Sequence, residues 1–94
     1  MDTRTIILCP NPDRDHGMRA TKTAIQLLQE LGFQTAVCSP FRSPKAGAFG
    51  DLAVKPLLTE LKNASLIITL GGDGTILHLA KLAALNRIPM LGIN

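Results

Sequence analysis

The chain has 94 residues, a formal net charge of +3 and a hydrophobic fraction of 46%. This length and hydrophobicity predict one folded domain and exclude a disordered chain. The ten basic residues are scattered, and with three Phe and no Trp or Tyr there is no aromatic platform for stacking bases. Both features argue against nucleic-acid binding. The mild positive charge suits an anionic ligand, and a solvated surface explains it equally well.

Neither a leader segment nor a membrane helix is predicted. The first five residues are polar, and no apolar run approaches the roughly 18 residues that cross a bilayer. Cys9 and Cys38 each end an apolar run. Two isolated cysteines make neither a zinc site nor a disulfide framework, so we expect reduced core thiols in a cytoplasmic protein.

The first half of the chain predicts a strand, a helix and a second strand. Residues 5–9 are continuously apolar, as in a strand buried on both faces, and residues 10–13 break the strand into a loop. A helix is predicted over 17–31, ended by Gly32, and a strand over 33–38. The helix is expected to bury one apolar stripe, made of Ala20, Ala24, Leu27, Leu28 and Leu31.

The second half predicts two more helices and two more strands. Residues 39–50 read as a surface loop, and 53–63 as a short helix with Leu57, Leu58 and Leu61 facing inward. A strand over 66–70 leads into the turn 71–75. The helix predicted over 76–86 is apolar nearly all round, which is typical of a helix sandwiched between other elements. Residues 90–93 form the last predicted strand.

The alternation β-α-β-α-β-α-β predicts an α/β fold. We expect three layers around a doubly wound parallel sheet of about four strands, Rossmann- or flavodoxin-like. Such sheets bind ligands at the carboxyl ends of their strands. Asn11, Asp73 and Asn94 all fall at or just beyond such ends. Asn11-Pro12 could orient a ligand there, although Asn-Pro is also an ordinary turn starter.

The central motif is Gly71-Gly72-Asp73-Gly74-Thr75, between a strand and a helix. Glycines let a ligand approach the backbone closely, and the helix that follows begins with unpaired N–H groups and a partial positive charge. The turn therefore predicts a phosphate cradle. It matches neither the Walker pattern nor G-x-G-x-x-G.

Asp73 stands out because a carboxylate repels phosphate. It could cap the helix, hold a divalent cation or accept a hydroxyl proton, and Thr75 is an alternative cap that would release it for chemistry. His78 and Lys81, three residues apart on an apolar helix, could face a ligand or form a solvated stripe.

Residues 70–78, which read LGGDGTILH, resemble the signature of the NAD kinase family. The spacing to residues 89–94, PMLGIN, is similar to that family as well. Diacylglycerol and sphingosine kinases share Gly-Gly-Asp-Gly but continue from the equivalent strand into a turn like Gly-Thr-Gly-Asn. A lipid kinase of the same superfamily and a non-catalytic nucleotide-binding module therefore stay open as alternatives.

The resemblance implies transfer of a phosphoryl group from ATP or polyphosphate to the adenosine ribose 2′-hydroxyl of NAD, giving NADP. Magnesium or another divalent cation is expected with ATP, and no protein residue is assigned to it. Asp73 matches the catalytic aspartate that accepts the hydroxyl proton. The residues that the resemblance assigns to nucleotide binding are Gly71, Gly72, Asp73, Gly74, Thr75, Leu77, His78 and Asn94.

The resemblance also sets an expectation about domains. Residues 1–94 match the amino-terminal domain of the family, whose β-rich carboxy-terminal domain, with an Asn-Glu pair that grips the NAD ribose, does not follow here. We expect a truncated or isolated domain that is inactive alone. The full-length enzyme is expected to be a homo-oligomer.

Overall fold

A computed structural model describes residues 4–40, 47–71 and 76–93. Five parallel strands form one sheet in the order β3-β2-β1-β4-β5. The strands are β1 Thr5–Pro10, β2 Gln34–Cys38, β3 Val54–Lys55, β4 Ala64–Leu70 and β5 Met90–Ile93, and the helices are α1 Arg19–Glu30, α2 Leu57–Glu60 and α3 Ile76–Leu85. The predicted α/β class and parallel sheet are confirmed, with a fifth strand added.

Successive residues of the central strand feed two separate cores. Ile6 and Leu8 pack on the α1 side of the sheet, against Ile25 and its neighbours in that helix. Ile7 packs on the other side, in the core formed with α3 and with the 3₁₀ turn Leu61–Asn63 that follows α2. Because side chains alternate along a strand, an apolar run places residues in both cores and makes a three-layer domain.

The direction of winding reverses between β1 and β4. From β1 the chain adds β2 and then β3 on one side, and it returns to place β4 and β5 on the other. Helices cover opposite faces on the two sides, as right-handed crossovers require. The switch point, where open α/β sheets bind their ligands, therefore lies at the carboxyl ends of β1 and β4.

Helix α1 begins two residues later than predicted. Gly17 and Met18 have left-handed φ angles of 66° and 58°, so the helix begins at Arg19 after the 3₁₀ turn His16–Met18. Its end is as predicted. Gly32 has φ of 90°, its N–H donates to the Gln29 carbonyl, and the Phe33 N–H donates to the Leu28 carbonyl. These two bonds form a Schellman motif.

The predicted apolar stripe of α1 is partly wrong. Thr21 is fully buried, and Ala24, Ile25 and Leu28 contact the core, whereas the outer members of the predicted stripe are exposed. Those exposed residues are Ala20, Leu27 and Leu31. The helix is therefore rotated from the predicted orientation, so that the positions of Thr21 and Ile25 face the sheet. Phe33, predicted in β2, is exposed and precedes that strand.

The helix predicted over 53–63 is divided into three short elements. Residues 54–55 pair in parallel with β2 as strand β3, and Pro56, whose φ is −65°, precedes α2. Leu61 is buried and Leu57 half-buried, as predicted, but Leu58 is 69% exposed. A proline lacks the backbone N–H that a continuous helix would need, so the helix begins after it.

Helix α3 is covered on one side only within the described ranges. Leu79 and Ala83 are buried, but Leu77 and Leu85 are 80% and 81% exposed. Among residues 4–40, 47–71 and 76–93, nothing covers the second side of α3, so the prediction that this helix is sandwiched is wrong there. The end of α3 is a second Schellman motif, with Arg87 in the left-handed position at φ 56°.

Both cysteines are free thiols, and both are buried in the core as predicted. They follow the paired residues Leu8 and Val37 on neighbouring strands. Burial raises the pKa of Cys9 and of Cys38 to about 12. In the described part of the chain, no helix is long and apolar enough to span a bilayer.

Candidate functional site at the switch point

The carboxyl ends of three strands lie level with one another. Pro10 of β1 pairs with Leu70 of β4, which pairs with Ile93 of β5. The next residues continue this alignment. The Asn11 N–H donates to the Leu70 carbonyl at 2.8 Å, and the Gly71 N–H donates to the Ile93 carbonyl at 2.8 Å. The loop after β1 and the turn after β4 therefore leave the sheet side by side.

Gly71 meets two constraints that exclude a side chain. Its φ of 93° is disfavoured for residues with a Cβ, and an ideal Cβ built there would lie 2.7 Å from the Cβ of Arg14. The Cγ of Arg14 would be 3.7 Å away. The glycine thus allows the β1–α1 loop to lie directly against the start of the motif.

Asn11 organises the beginning of the β1–α1 loop. Its Oδ1 accepts a hydrogen bond from the Asp13 N–H at 3.0 Å, and its backbone carbonyl accepts bonds from the N–H groups of Arg14 and Asp15. This is an Asx turn followed by a tight backbone turn. Of the two interpretations of Asn11, these contacts favour the turn.

Asp15 closes the same loop and caps α1 from outside the helix. Its carboxylate accepts bonds from the N–H of Ala20 at 2.9 Å, the N–H of Thr21 at 2.9 Å and the Thr21 hydroxyl at 2.6 Å. Burial raises the pKa of Asp15, but these hydrogen bonds and nearby His16 outweigh burial and hold the pKa below its ordinary value. The carboxylate replaces a cap at Met18, which makes no side-chain bond to the helix.

The predicted site residues are only partly among the described ones. Gly71 lies at the switch point, half-buried, while Leu77 and His78 are exposed on the first turn of α3. The predictions for Gly72, Asp73, Gly74, Thr75 and Asn94 lie outside the described residues.

Two open grooves adjoin these elements. One, of about 560 Å³, runs along the outer side of α3 and contains both polar residues of that helix; it is lined by Leu77, His78, Ala80, Lys81 and Ala84. The other, of about 410 Å³, lies between α1 and the ends of β4 and β5; it is lined by Arg19, Ala20, Thr23, Ala24, Leu27, Leu70 and Ile93. His78 and Lys81 are both exposed, which favours the solvated stripe but leaves them accessible to a ligand.

Sequence reasoning missed Arg14 and Asp15. Asp15 could have been suspected because Met18 is a poor cap and an acid lies three residues upstream of it. Nothing local to Arg14 signals its contact with Gly71, which joins residues 57 positions apart. No group of three potential metal ligands occurs within residues 4–40, 47–71 and 76–93.

Residues 6–94 match the model of the ATP-NAD kinase N-terminal domain. The chain is 31% identical to an NAD kinase of Corynebacterium diphtheriae, over 99% of this chain and 31% of the relative. It is 34% identical to those of Ruminiclostridium cellulolyticum, over 89% and 28%, and Haemophilus influenzae, over 97% and 31%. The chain thus spans about a third of the length of these relatives. No solved structure matches it. The family match covers nearly every residue, and the chain belongs to the ATP-NAD kinase N-terminal domain family.

Proposed function

We propose that this chain is the phosphate-handling, amino-terminal domain of an NAD kinase, and that a β-rich carboxy-terminal domain completes the enzyme. The reaction is transfer of a phosphoryl group from ATP or polyphosphate to the adenosine ribose 2′-hydroxyl of NAD. One observation carries this proposal: in a member of this family, Gly71 continues β4 at the switch point of the sheet. That edge is where folds of this class bind nucleotides.

The motif supplies the groups that the reaction needs. Phosphoryl transfer depends mainly on positioning and charge stabilisation, because its transition state is loose. Gly71, Gly72 and Gly74 would allow phosphates to approach the backbone, and Thr75 would cap α3. Asp73 would orient the 2′-hydroxyl and accept its proton. A helix N-terminus lowers the pKa of a carboxyl group, so we expect proton transfer late in the reaction.

The remaining contacts complete the proposal. Leu77, His78 and Asn94 would contact the dinucleotide. Magnesium would enter with the donor, since it is usually held by one or two carboxylates together with substrate phosphates and keeps several waters. We propose that the enzyme works in the cytoplasm as a homo-oligomer and does not bind nucleic acid.

The test is NADP formation by the full-length polypeptide with ATP and magnesium, compared with its Asp73→Asn variant. We expect the variant to lose about 10²- to 10⁴-fold in kcat while the KM values change little. Asp51→Asn is the matched control, because Asp51 is an exposed acid whose side chain pairs with Lys22 at 2.9 Å. Full activity in Asp73→Asn, or phosphorylation of a lipid instead of NAD, would refute the proposal.

The chain alone gives a second test. We expect residues 1–94 to form no NADP, because the dinucleotide would lack the contacts of the carboxy-terminal domain. NADP formation above background by the purified 94 residues, with ATP and magnesium, would show that the domain needs no partner for catalysis.

A further inference from the structure

Arg14 is held at the switch point by contacts on both sides of it. Its own N–H donates to the Asn11 carbonyl, and the next residue, Asp15, is anchored to α1 by three hydrogen bonds. Its Cβ is fixed against the backbone of Gly71. The position of the side chain at its root is therefore determined by the fold, although the side chain itself is exposed.

The helix behind Arg14 is closed to anions. A phosphate at the start of α1 would need the N–H groups of Ala20 and Thr21, and the Asp15 carboxylate occupies both. A second negative charge there would be repelled by that carboxylate. The start of α1 is thus excluded as the phosphate position, and the neighbouring backbone at this end of the sheet is that of Gly71, beside which Arg14 lies.

The charge of Arg14 is not neutralised within the described residues. No ion pair joins it to any residue of 4–40, 47–71 or 76–93. Two acids are close in sequence: Asp13 is exposed in the same loop, and Asp15 is adjacent. The Asp15 carboxylate is not available to Arg14, because it accepts hydrogen bonds from α1. A guanidinium has five N–H donors in a planar fork that matches phosphate oxygens.

We propose that Arg14 binds a phosphate group of a bound nucleotide at the switch point beside Gly71, with Asp15 as the residue that positions its loop. This deepens the proposed function and rests on it. Two ligands of the enzyme carry suitable phosphates, namely the triphosphate of the donor and the pyrophosphate of NAD. Their shared chemistry is a polyphosphate anion, and kinetics can distinguish them.

The experiment measures initial rates of the full-length polypeptide while ATP and NAD are varied separately. Arg14→Ala is expected to raise one KM about 30-fold, which corresponds to ~2 kcal/mol at 1.4 kcal/mol per tenfold. A rise in the KM for ATP assigns the site to the donor, and a rise in the KM for NAD assigns it to the acceptor. Arg14→Lys should recover part of the loss, since it keeps the charge but not the fork.

Arg87→Ala is the matched control. Arg87 is also exposed and loses the same charge, but it lies between α3 and β5, at the opposite edge of the sheet. If neither KM of Arg14→Ala exceeds that of Arg87→Ala by more than about threefold, the inference is overturned.

A direct binding measurement separates this inference from the proposed function. Inorganic tripolyphosphate is titrated calorimetrically into the full-length wild-type protein and into Arg14→Ala. Weaker binding by the variant supports the site even if no NADP is ever formed. Equal binding by both proteins, together with normal NAD kinase activity in the variant, would overturn the inference and leave the proposed function intact.

Discussion

The two turns that flank the switch point use opposite means to leave the sheet. In the β1–α1 turn, the buried carboxylate of Asp15 accepts hydrogen bonds from the first amides of α1. The β4–α3 turn begins with Gly71, which has no side chain, and continues with two more glycines. Amides that already donate to the Asp15 carboxylate cannot also bind an anion. The β1–α1 turn therefore uses its carboxylate to support its own helix and, as we propose, offers a ligand only the Arg14 side chain, whereas the glycines of the other turn are proposed to admit the ligand to the backbone.

Replacing Gly71 should break the contact between the two turns and have the largest effect on stability. Gly71→Ala adds a Cβ at φ 93°, where it would overlap with the Cβ of Arg14 at 2.7 Å. A left-handed backbone costs a residue with a Cβ roughly 1–2 kcal/mol, and overpacking a further 1–3. We expect a loss of about 3 kcal/mol in the free energy of unfolding, measured by urea denaturation.

Gly32→Ala is the control for the backbone term. Gly32 has nearly the same φ, 90°, but nothing lies within 4 Å of its ideal Cβ. Its cost should be about 1 kcal/mol. In the double variant Gly71→Ala with Arg14→Gly, which removes the opposing Cβ, part of the loss should return. Equal costs at the two glycines would mean that the turns do not constrain each other.

Removing the Asp15 carboxylate should open the supporting turn. Asp15→Asn replaces one acceptor oxygen with an NH₂ group that faces backbone donors, so about 2 kcal/mol of stability should be lost at pH 7. Thr21→Val, which removes only the hydroxyl that donates at 2.6 Å, should cost about 1 kcal/mol. Asp51→Asn, at an exposed ion pair, should change stability little.

The stabilisation by the Asp15 carboxylate should depend on pH, and comparing the wild type with Asp15→Asn measures this dependence. The folded pKa of Asp15 is lowered, so its stabilisation is complete above the unfolded value of about 3.9 and disappears as the pH falls through the folded pKa. The gap in unfolding free energy between wild type and Asp15→Asn should thus be full at pH 7 and pH 5 and narrower near pH 3. A gap that is constant across this range would show that Asp15 acts by packing and not as a carboxylate.

Features that depend on neighbouring residues in the sequence were predicted, and features that depend on distant residues were not. The apolar runs around Ile7 and Ile67 predict buried strands, because successive side chains of such a strand enter the cores on the two faces of the sheet. The end of α1 at Gly32 was predictable as well, because a glycine in the left-handed conformation commonly ends a helix. Strand β3 was missed because two residues before Pro56 carry no periodic signal. The rotation of α1 was missed because adjacent apolar stripes look alike until the sheet selects one.

The candidate site divides in the same way. The motif 71–75 was singled out from the sequence because glycines before a helix predict a phosphate cradle, and the catalytic role of Asp73 came from the family resemblance; both stay predictions. The position of Arg14 beside Gly71 was not predicted, because this contact depends on the pairing of β1 with β4. The role of Asp15 was missed because its partners lie five and six residues ahead, beyond the usual spacing of a helix cap.

Asn11 gives the finest test of whether the supporting turn also serves the ligand. Asn11→Ala removes the exposed bond from the Asp13 N–H to Oδ1, and its stability cost should be only about 0.5 kcal/mol. Asn86→Ala removes a similar exposed bond, from Nδ2 to the Leu82 carbonyl at 2.7 Å, on the far side of the sheet. The two variants should therefore unfold at similar urea concentrations.

The two variants should differ in their enzyme kinetics. Only Asn11 lies in the turn that holds Arg14, where the Asn11 carbonyl accepts the hydrogen bond from the Arg14 N–H. A severalfold rise in the KM that Arg14→Ala also raises, seen in Asn11→Ala and absent in Asn86→Ala, would show that the order of this turn matters for phosphate binding. Unchanged kinetics in both would limit Asn11 to local folding.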